Sequence, residues 1–141
     1  MTLLRMYAIT AIVLTLKMAA ISIAQGRGRV GSSIFVNPED AKLFHGHESP
    51  SETPAVQRAT RAWHNDLENI PIFLILAWIY VAADLPLRAF VVYCVIFMLG
   101  RIVHTICYLN SIQPMRTIAF VIGVLAMLSM MIHIFVSVVL A

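Results

Sequence analysis

Residues 87–109 read LRAFVVYCVIFMLGRIVHTICYL, and only Arg88 and Arg101 among them carry a full charge at neutral pH. An α-helix needs about 20 apolar residues to cross the ~30 Å hydrocarbon core of a bilayer. Apolar segments of soluble domains are usually shorter, or alternate with polar residues. The stretch therefore predicts a transmembrane helix.

Three more apolar runs flank this one, and they leave a long first loop at about residues 26–53. The four predicted helices cover about residues 3–25, 54–83, 87–109 and 115–140. Hydrophobic residues make up 60% of the 141 residues and charged residues 12%, whereas soluble domains average about 45–50% and 25%. We therefore predict an all-α integral membrane protein, a four-transmembrane-helix bundle forming a single domain over residues 1–141. Lys17 interrupts the first run and no clean small-residue cleavage site follows, which favours a retained helix over a signal peptide.

The first loop contains helix signals of its own. Asn37 followed by Pro38 and two acidic residues is typical of a capped helix start, and Gly46 is typical of a helix end. We therefore expect a short helix from Pro38 to about His45. His45 and His47 have the spacing of half a metal site, but no further arrangement of cysteine, histidine or acidic residues accompanies them. A solvated loop is the favoured interpretation, and no metal is predicted.

Basic residues are distributed unevenly between the two sides of the predicted bundle. The side with the first and third loops carries Arg27, Arg29, Lys42, Arg58, Arg61 and Arg116. The other side carries Arg5 and Arg88. The positive-inside rule therefore predicts that both loops face the cytoplasm and that both termini lie on the opposite side. The formal net charge of +3 is too small to suggest a nucleic-acid partner.

Ionisable and polar residues inside the predicted helices fall on single faces. At helical spacing, the second helix carries Arg61, His64, Asn65 and Glu68, and the third carries Arg101, His104 and Tyr108. With the topology above, both stripes lie in the cytoplasmic half of the bundle, near Arg29 and Arg116. Charged groups within a bilayer face the bundle interior or a water-filled cavity, and guanidinium groups bind carboxylates in two-point contacts. We therefore predict a cationic pocket, open to the cytoplasm, that binds a small anion with several carboxylates.

Structural roles are open for several of these residues. Arg61 can extend its charge to the lipid headgroups. Arg101 can form a structural ion pair with a buried acid, and His104 can be a hydrogen-bonded core residue. Lys17 and Asp66 lie deep and off the stripes, so we expect them to pair between helices, because pairing lowers the cost of burying both charges.

Four segments resemble the MAPEG family, membrane-associated proteins of eicosanoid and glutathione metabolism. They are NPED at 37–40, RAWHNDLEN at 61–69, GRIVHTICYL at 100–109 and PMR at 114–116, and the similarity covers nearly the whole chain. The resemblance implies a four-helix protomer, a homotrimer, and one glutathione site per subunit interface facing the cytoplasm.

The resemblance also implies roles for individual residues. Glutathione contacts are implied for Arg29, Arg61, Asn65, Glu68, His104, Tyr108 and Arg116. Arg116 would also stabilise the glutathione thiolate, and Asp40 matches an aspartate implicated in the prostaglandin E synthases of the family. Thr117, Phe120 and His64 stand where those synthases have serine, tyrosine and arginine. The first loop lacks the stress-sensing cysteine of the family's transferases.

The favoured function is a membrane-bound glutathione transferase that joins glutathione, its co-substrate, to lipophilic electrophiles. Peroxidase activity on lipid hydroperoxides would use the same thiol. Membrane lipid is expected to surround the bundle. One alternative is a glutathione-dependent isomerase like the prostaglandin E synthases, which Thr117 and Phe120 disfavour. A non-enzymatic lipid-binding adaptor is disfavoured by Arg116 and the full polar stripe. A small channel or transporter would need a polar path across the whole bundle.

Overall fold

Four long helices dominate the computed structural model, which describes residues 1–140. They are α1 (Leu3–Ser32), α3 (Pro54–Ala82), α4 (Leu87–Leu109) and α5 (Gln113–Ile134), and α5 continues as a π-helical turn over Phe135–Val139. Each is long and apolar enough to cross a membrane. The short elements β1 (Ile34–Phe35), α2 (Pro38–Leu43) and β2 (His47–Glu48) occupy the loop between α1 and α3. The prediction of an all-α, four-helix bundle is confirmed.

The first helix is longer than the sequence predicts, since α1 continues to Ser32 instead of ending near residue 25. Gly26 and Gly28 suggest a helix end, but Gly28 lies where α1 approaches α3. A Cβ atom on Gly28 would lie 2.7 Å from Cγ2 of Val56. This glycine therefore permits close packing of two helices instead of ending one of them.

The loop between α1 and α3 contains a parallel pairing of β1 with β2, which the sequence does not predict. A Cβ atom on Gly46 would lie 2.6 Å from the carbonyl oxygen of Ser33 and 2.5 Å from the ring of Phe35. Only glycine fits between these groups without displacing them. Gly46 thus holds the end of the loop against its beginning.

The short loop helix differs in detail from its prediction. α2 ends at Leu43, before the predicted end at His45. The Asn37 side chain makes no capping hydrogen bond to the helix backbone and instead donates to the Asp40 carboxylate at 3.1 Å. Asn37 occupies the N-cap position as predicted, but its side-chain oxygen accepts no hydrogen bond from the helix backbone, so the predicted side-chain cap is absent.

Consecutive long helices run in opposite directions, so the C-terminal halves of α1 and α4 meet the N-terminal halves of α3 and α5. We call this half of the bundle the polar end. The rest of the interior is mostly apolar, with the rings of Phe73 and Phe97 stacked at a centroid distance of 3.8 Å. Between α4 and α5 the backbones nearly touch, because a Cβ atom on Gly100 would lie 3.3 Å from the backbone nitrogen of Gly123.

Candidate functional site

A buried ion-pair triad joins three helices at the polar end. Asp66 of α3 accepts hydrogen bonds through Oδ1 from Nη2 and Nε of Arg101 on α4, at 2.6 and 3.1 Å. Its Oδ2 pairs with the ammonium group of Lys17 on α1. The side chains of Asp66, Arg101 and Lys17 are 0%, 1% and 11% exposed. The predicted Lys17–Asp66 pair is present, and two cations share one carboxylate, which leaves a surplus positive charge inside the bundle.

The triad also orients the amide group of Asn65. Arg101 donates from Nη2 to Oδ1 of Asn65 at 2.7 Å. Because the oxygen is occupied, the NH₂ group of Asn65 is left to donate into the adjacent cleft. The sequence predicts Arg101 as a direct ligand contact, whereas the structure places it in the triad, one residue behind the cleft surface. This is the structural ion pair that the sequence leaves open for Arg101.

The cleft lies between α3, α4 and α5 and has a volume of about 240 Å³. Its lining consists of Asn65, His104, Tyr108, Arg116, Thr117 and Phe120. The guanidinium carbon of Arg116 lies 4.5 Å from the ring centroid of Tyr108, so a cation–π contact holds this charge beside the cleft. Nδ1 of His104 is buried without a hydrogen-bond partner among residues 1–140. The cleft thus offers a guanidinium, an amide and hydroxyls to a ligand.

Three predicted residues of α3 lie outside the cleft, on an exposed face of the protomer. They are Arg61, His64 and Glu68. Arg61 donates from Nε and Nη2 to the backbone and side-chain oxygens of Gln57, at 3.3 and 3.2 Å. Nδ1 of His64 lies 2.9 Å from the carbonyl oxygen of Thr60. Arg61, His64 and Glu68 therefore share a side of α3 that points away from the bundle of their own protomer, whereas Asn65 of the same stripe lines the cleft.

Arg29 and Asp40 line a second cavity, of about 470 Å³, beneath the first loop. Nε of Arg29 donates to Oε1 of Glu52 at 2.5 Å, and the Thr60 hydroxyl lies 3.4 Å from Oε2 of the same carboxylate. Thr60 also donates to Oε1 of Gln25 at 3.2 Å. The sequence does not predict Glu52 as the partner of Arg29, since no periodicity links a loop residue to a helix end.

Comparison with known proteins identifies the family. The sequence model of the family described as MAPEG family matches residues 6–136 of the chain. This chain belongs to the MAPEG family. The resemblance read from the sequence is confirmed, and family membership with four apolar helices makes the chain an integral, multi-pass membrane protein.

Curated relatives of this MAPEG chain carry two kinds of name. Prostaglandin E synthase of Macaca fascicularis is 36% identical over 124 residues, and that of Rattus norvegicus is 37% identical over 123 residues; each alignment covers 86% of this chain and 80% of the relative. Microsomal glutathione S-transferase 1 of Bos taurus is 38% identical over 126 residues, which is 86% of this chain and 81% of the relative.

The predicted site residues of this MAPEG protomer divide into separate groups at the polar end. The cleft holds Asn65, His104, Tyr108, Arg116 and Thr117, the exposed face holds Arg61, His64 and Glu68, and the loop cavity holds Arg29 and Asp40. Their roles in binding and catalysis stay predictions. Within residues 1–140 the structure contains no group of three or more His, Cys, Asp and Glu side chains placed to hold a metal ion.

Proposed function

We propose that this protein is a membrane-bound glutathione transferase that conjugates glutathione to lipophilic electrophiles. The observation that carries the proposal is the Arg116 guanidinium, held over the Tyr108 ring beside a polar cleft. A relative 38% identical to the chain is named microsomal glutathione S-transferase 1. A fixed cation near the thiol favours the thiolate that attacks the electrophile, and we assign this role to Arg116.

The charges of the polar end complement those of glutathione, which has two carboxylates and one ammonium group. Arg29 and Arg61 are suited to the carboxylates and Glu68 to the ammonium group, while the NH₂ group of Asn65 can donate to a peptide carbonyl. These groups lie on separate surfaces of one protomer. We therefore propose a homotrimer in which neighbouring protomers complete each glutathione site, as the family resemblance implies.

Glutathione brings its own nucleophile, so the protein needs no catalytic cysteine. A free thiol has a pKa of about 8.5, and a guanidinium close to the sulfur favours the thiolate. Arg116 lies in the first turn of α5, which begins at Gln113, so the helix dipole also favours an anion there. The hydroxyl of Thr117 can donate a further hydrogen bond to the sulfur. The thiolate then attacks an electrophilic carbon, and the leaving group departs with the electron pair of the broken bond.

The same thiolate supports a peroxidase reaction with lipid hydroperoxides. Its sulfur attacks the terminal oxygen, the O–O bond breaks, and the lipid alkoxide takes up a proton to become an alcohol. The glutathione sulfenic acid formed in this step reacts with a second glutathione to give the disulfide and water. Lipophilic substrates reach the cleft from the bilayer, between the helices that line it.

A second candidate is the glutathione-dependent isomerisation of a prostaglandin endoperoxide. Relatives named prostaglandin E synthase, 36–37% identical to the chain, favour it. Thr117 and Phe120 replace the serine and tyrosine of those synthases, which favours the transferase. Product analysis with an endoperoxide and with a chloronitrobenzene, side by side, distinguishes the two reactions.

We further propose that the active site faces the cytoplasm and that both termini lie on the opposite side. The basic residues of the first loop and Arg116 support this orientation through the positive-inside rule. A cytoplasmic site would draw on the glutathione pool of the cell.

Substitution of Arg116 tests the chemistry. For Arg116→Ala, purified in detergent, we expect glutathione binding to persist while turnover with a chloronitrobenzene falls about 100-fold, the usual effect of losing one group that stabilises a reacting anion. The thiolate absorbance of bound glutathione at about 240 nm should fall at neutral pH, because less of its thiol is ionised. Arg116→Lys should restore only part of the rate, because an ammonium keeps the charge without the planar geometry.

Arg88→Ala is the matched control, since Arg88 is an exposed arginine at the far end of the bundle. It should leave turnover and thiolate absorbance unchanged. Full turnover and unchanged thiolate absorbance in Arg116→Ala would contradict the assigned role and would point to Tyr108 or Thr117 as the donor.

A further inference from the structure

Arg29 lies in the last turn of α1, on the wall of the cavity beneath the first loop. Its side chain is 37% exposed, and an arginine side chain with that much freedom ordinarily adopts several rotamers. A ligand that has to hold it in one of them loses part of its binding free energy. A carboxylate site at Arg29 therefore gains affinity if another side chain fixes the guanidinium group in advance.

Glu52 holds this guanidinium group by one nitrogen. Oε1 of Glu52 accepts from Nε of Arg29 at 2.5 Å, whereas Nη1 and Nη2 make no hydrogen bond within residues 1–140. A carboxylate that pairs fully with an arginine accepts from two of its nitrogens at once. Here the second oxygen of Glu52 lies 3.4 Å from the Thr60 hydroxyl instead. The edge formed by Nη1 and Nη2 is thus left for a second carboxylate.

Glu52 is itself held in place beside the start of α3. Its side chain is 17% exposed, and its backbone oxygen accepts from Nε2 of Gln57 at 2.7 Å. The next residue, Thr53, is the N-cap of α3, and its side chain accepts from the backbone nitrogen of Val56 at 3.5 Å. The first turn of α3 therefore anchors Glu52 and, through Glu52, the tip of Arg29.

We infer that Glu52 is a positioning residue of the glutathione site, which holds Nε of Arg29 so that Nη1 and Nη2 offer a preformed two-point contact to a glutathione carboxylate. The inference rests on the function proposed above and on the contact assigned there to Arg29. Glu52 acts through Arg29 and touches neither the ligand carboxylate nor the sulfur. It therefore sets the affinity for glutathione, and the chemical step at Arg116 does not depend on it.

The opposite role, in which Glu52 blocks Arg29 until glutathione displaces it, disagrees with the contact. A blocking carboxylate would cover Nη1 and Nη2, whereas Glu52 occupies Nε alone. The negative charge of Glu52 does weaken the attraction of Arg29 for an anion, so its contribution is orientation and not charge. Glutamine keeps an oxygen that accepts from Nε without that charge, and it should serve at this position as well as glutamate does.

Glu52→Ala and Glu52→Gln separate orientation from charge, by titration of glutathione against the protein purified in detergent. We expect Glu52→Ala to bind glutathione about 5-fold more weakly, the effect of ordering one long side chain during binding. The KM for glutathione should rise in step while kcat is unchanged. Glu52→Gln should bind at least as tightly as the unmodified protein. Tighter binding in Glu52→Ala would establish the blocking role, and equal loss of affinity in both variants would show that the charge matters; either result would overturn the inference.

A double-mutant cycle tests whether Glu52 acts through Arg29. Once Arg29→Ala is in place, adding Glu52→Ala should change the affinity no further, and a second 5-fold loss would overturn the inference. Glu48→Ala is the matched control, since Glu48 is an exposed acid of the same loop, and it should keep the affinity of the unmodified protein. If the unmodified protein binds no glutathione, the proposed function fails and this inference with it. If it binds glutathione and Glu52→Ala binds equally well, the inference alone fails.

Discussion

Replacing Asp66 with asparagine removes the acidic member of the buried triad and leaves two cations facing each other. Asp66 is 0% exposed, and its two oxygens serve Arg101 and Lys17. Removing one partner of a buried ion pair costs about 3–5 kcal/mol, because the remaining charge stays in a medium of low polarity. Here two charges are left without a partner. We therefore expect Asp66→Asn to reduce the free energy of unfolding by an amount at or above the upper end of that range.

Removal of either cation should destabilise the protein much less, because the triad has one positive charge in excess. Lys17→Met and Arg101→Met each leave a neutral pair with Asp66, and the lost charge-assisted hydrogen bonds are offset by the smaller buried charge. We expect a cost of about 1–2 kcal/mol for each. The asymmetry between removing the anion and removing a cation is the feature that distinguishes a triad from two independent pairs.

The assay is the midpoint of heat-induced loss of helical circular dichroism in detergent, compared at one scan rate. At about 3–4 °C per kcal/mol for a chain of this length, Asp66→Asn should lower the midpoint by at least about 15 °C and each methionine variant by about 3–8 °C. Asp84→Asn is the control, because Asp84 is exposed with φ of 49° and asparagine tolerates that backbone conformation. If Arg101→Met lowered the midpoint as much as Asp66→Asn does, the assignment of two cations to one buried carboxylate would be refuted.

Two other outcomes follow from the site and the topology. Arg61→Ala or Glu68→Ala should weaken glutathione binding about 10- to 150-fold by titration, the effect of one charge-assisted hydrogen bond; unchanged affinity in both variants would remove the exposed stripe from the site. A cysteine introduced at Ser51 should react with a membrane-impermeant maleimide only from the cytoplasmic side, and one at Thr2 only from the other side, because the first loop is basic; the reverse pattern would invert the proposed orientation.

The sequence predicts those features of the bundle that depend on hydrophobicity and depth. Four apolar runs are enough to place α1, α3, α4 and α5, since a bilayer fixes the length of a spanning helix. The Lys17–Asp66 pair is predictable because both residues lie within predicted spanning helices and away from the polar stripes. Helical spacing shows that Arg101 shares a face with His104 but not that it meets the Asp66 carboxylate, and a role for Arg101 in binding stays a prediction.

Features that depend on close contact between distant segments are not predictable from the pattern. Glycine is a residue type typical of helix ends, yet Gly28 lies within α1 where the helix contacts Val56. The Arg29–Glu52 pair joins a helix end to a loop, and nothing in the local sequence couples the two. The stripe of Arg61 and Glu68 is visible in the sequence, but whether it faces the protomer or a neighbour depends on the rotation of α3, which spacing alone leaves undetermined.

The close approach of Gly100 and Gly123 allows residues around the cleft to change without displacing Arg116. Where two helix backbones nearly touch, no flexible side chain can absorb a change in their separation, so α4 and α5 form one rigid wall. Thr117 and Phe120 stand on this wall, away from the contact. Exchange of either residue changes the polarity and shape that an acceptor meets, while Arg116 keeps its position over Tyr108. Thr117 and Phe120 are thus two positions at which substitution changes the surroundings of the cleft while its support stays in place.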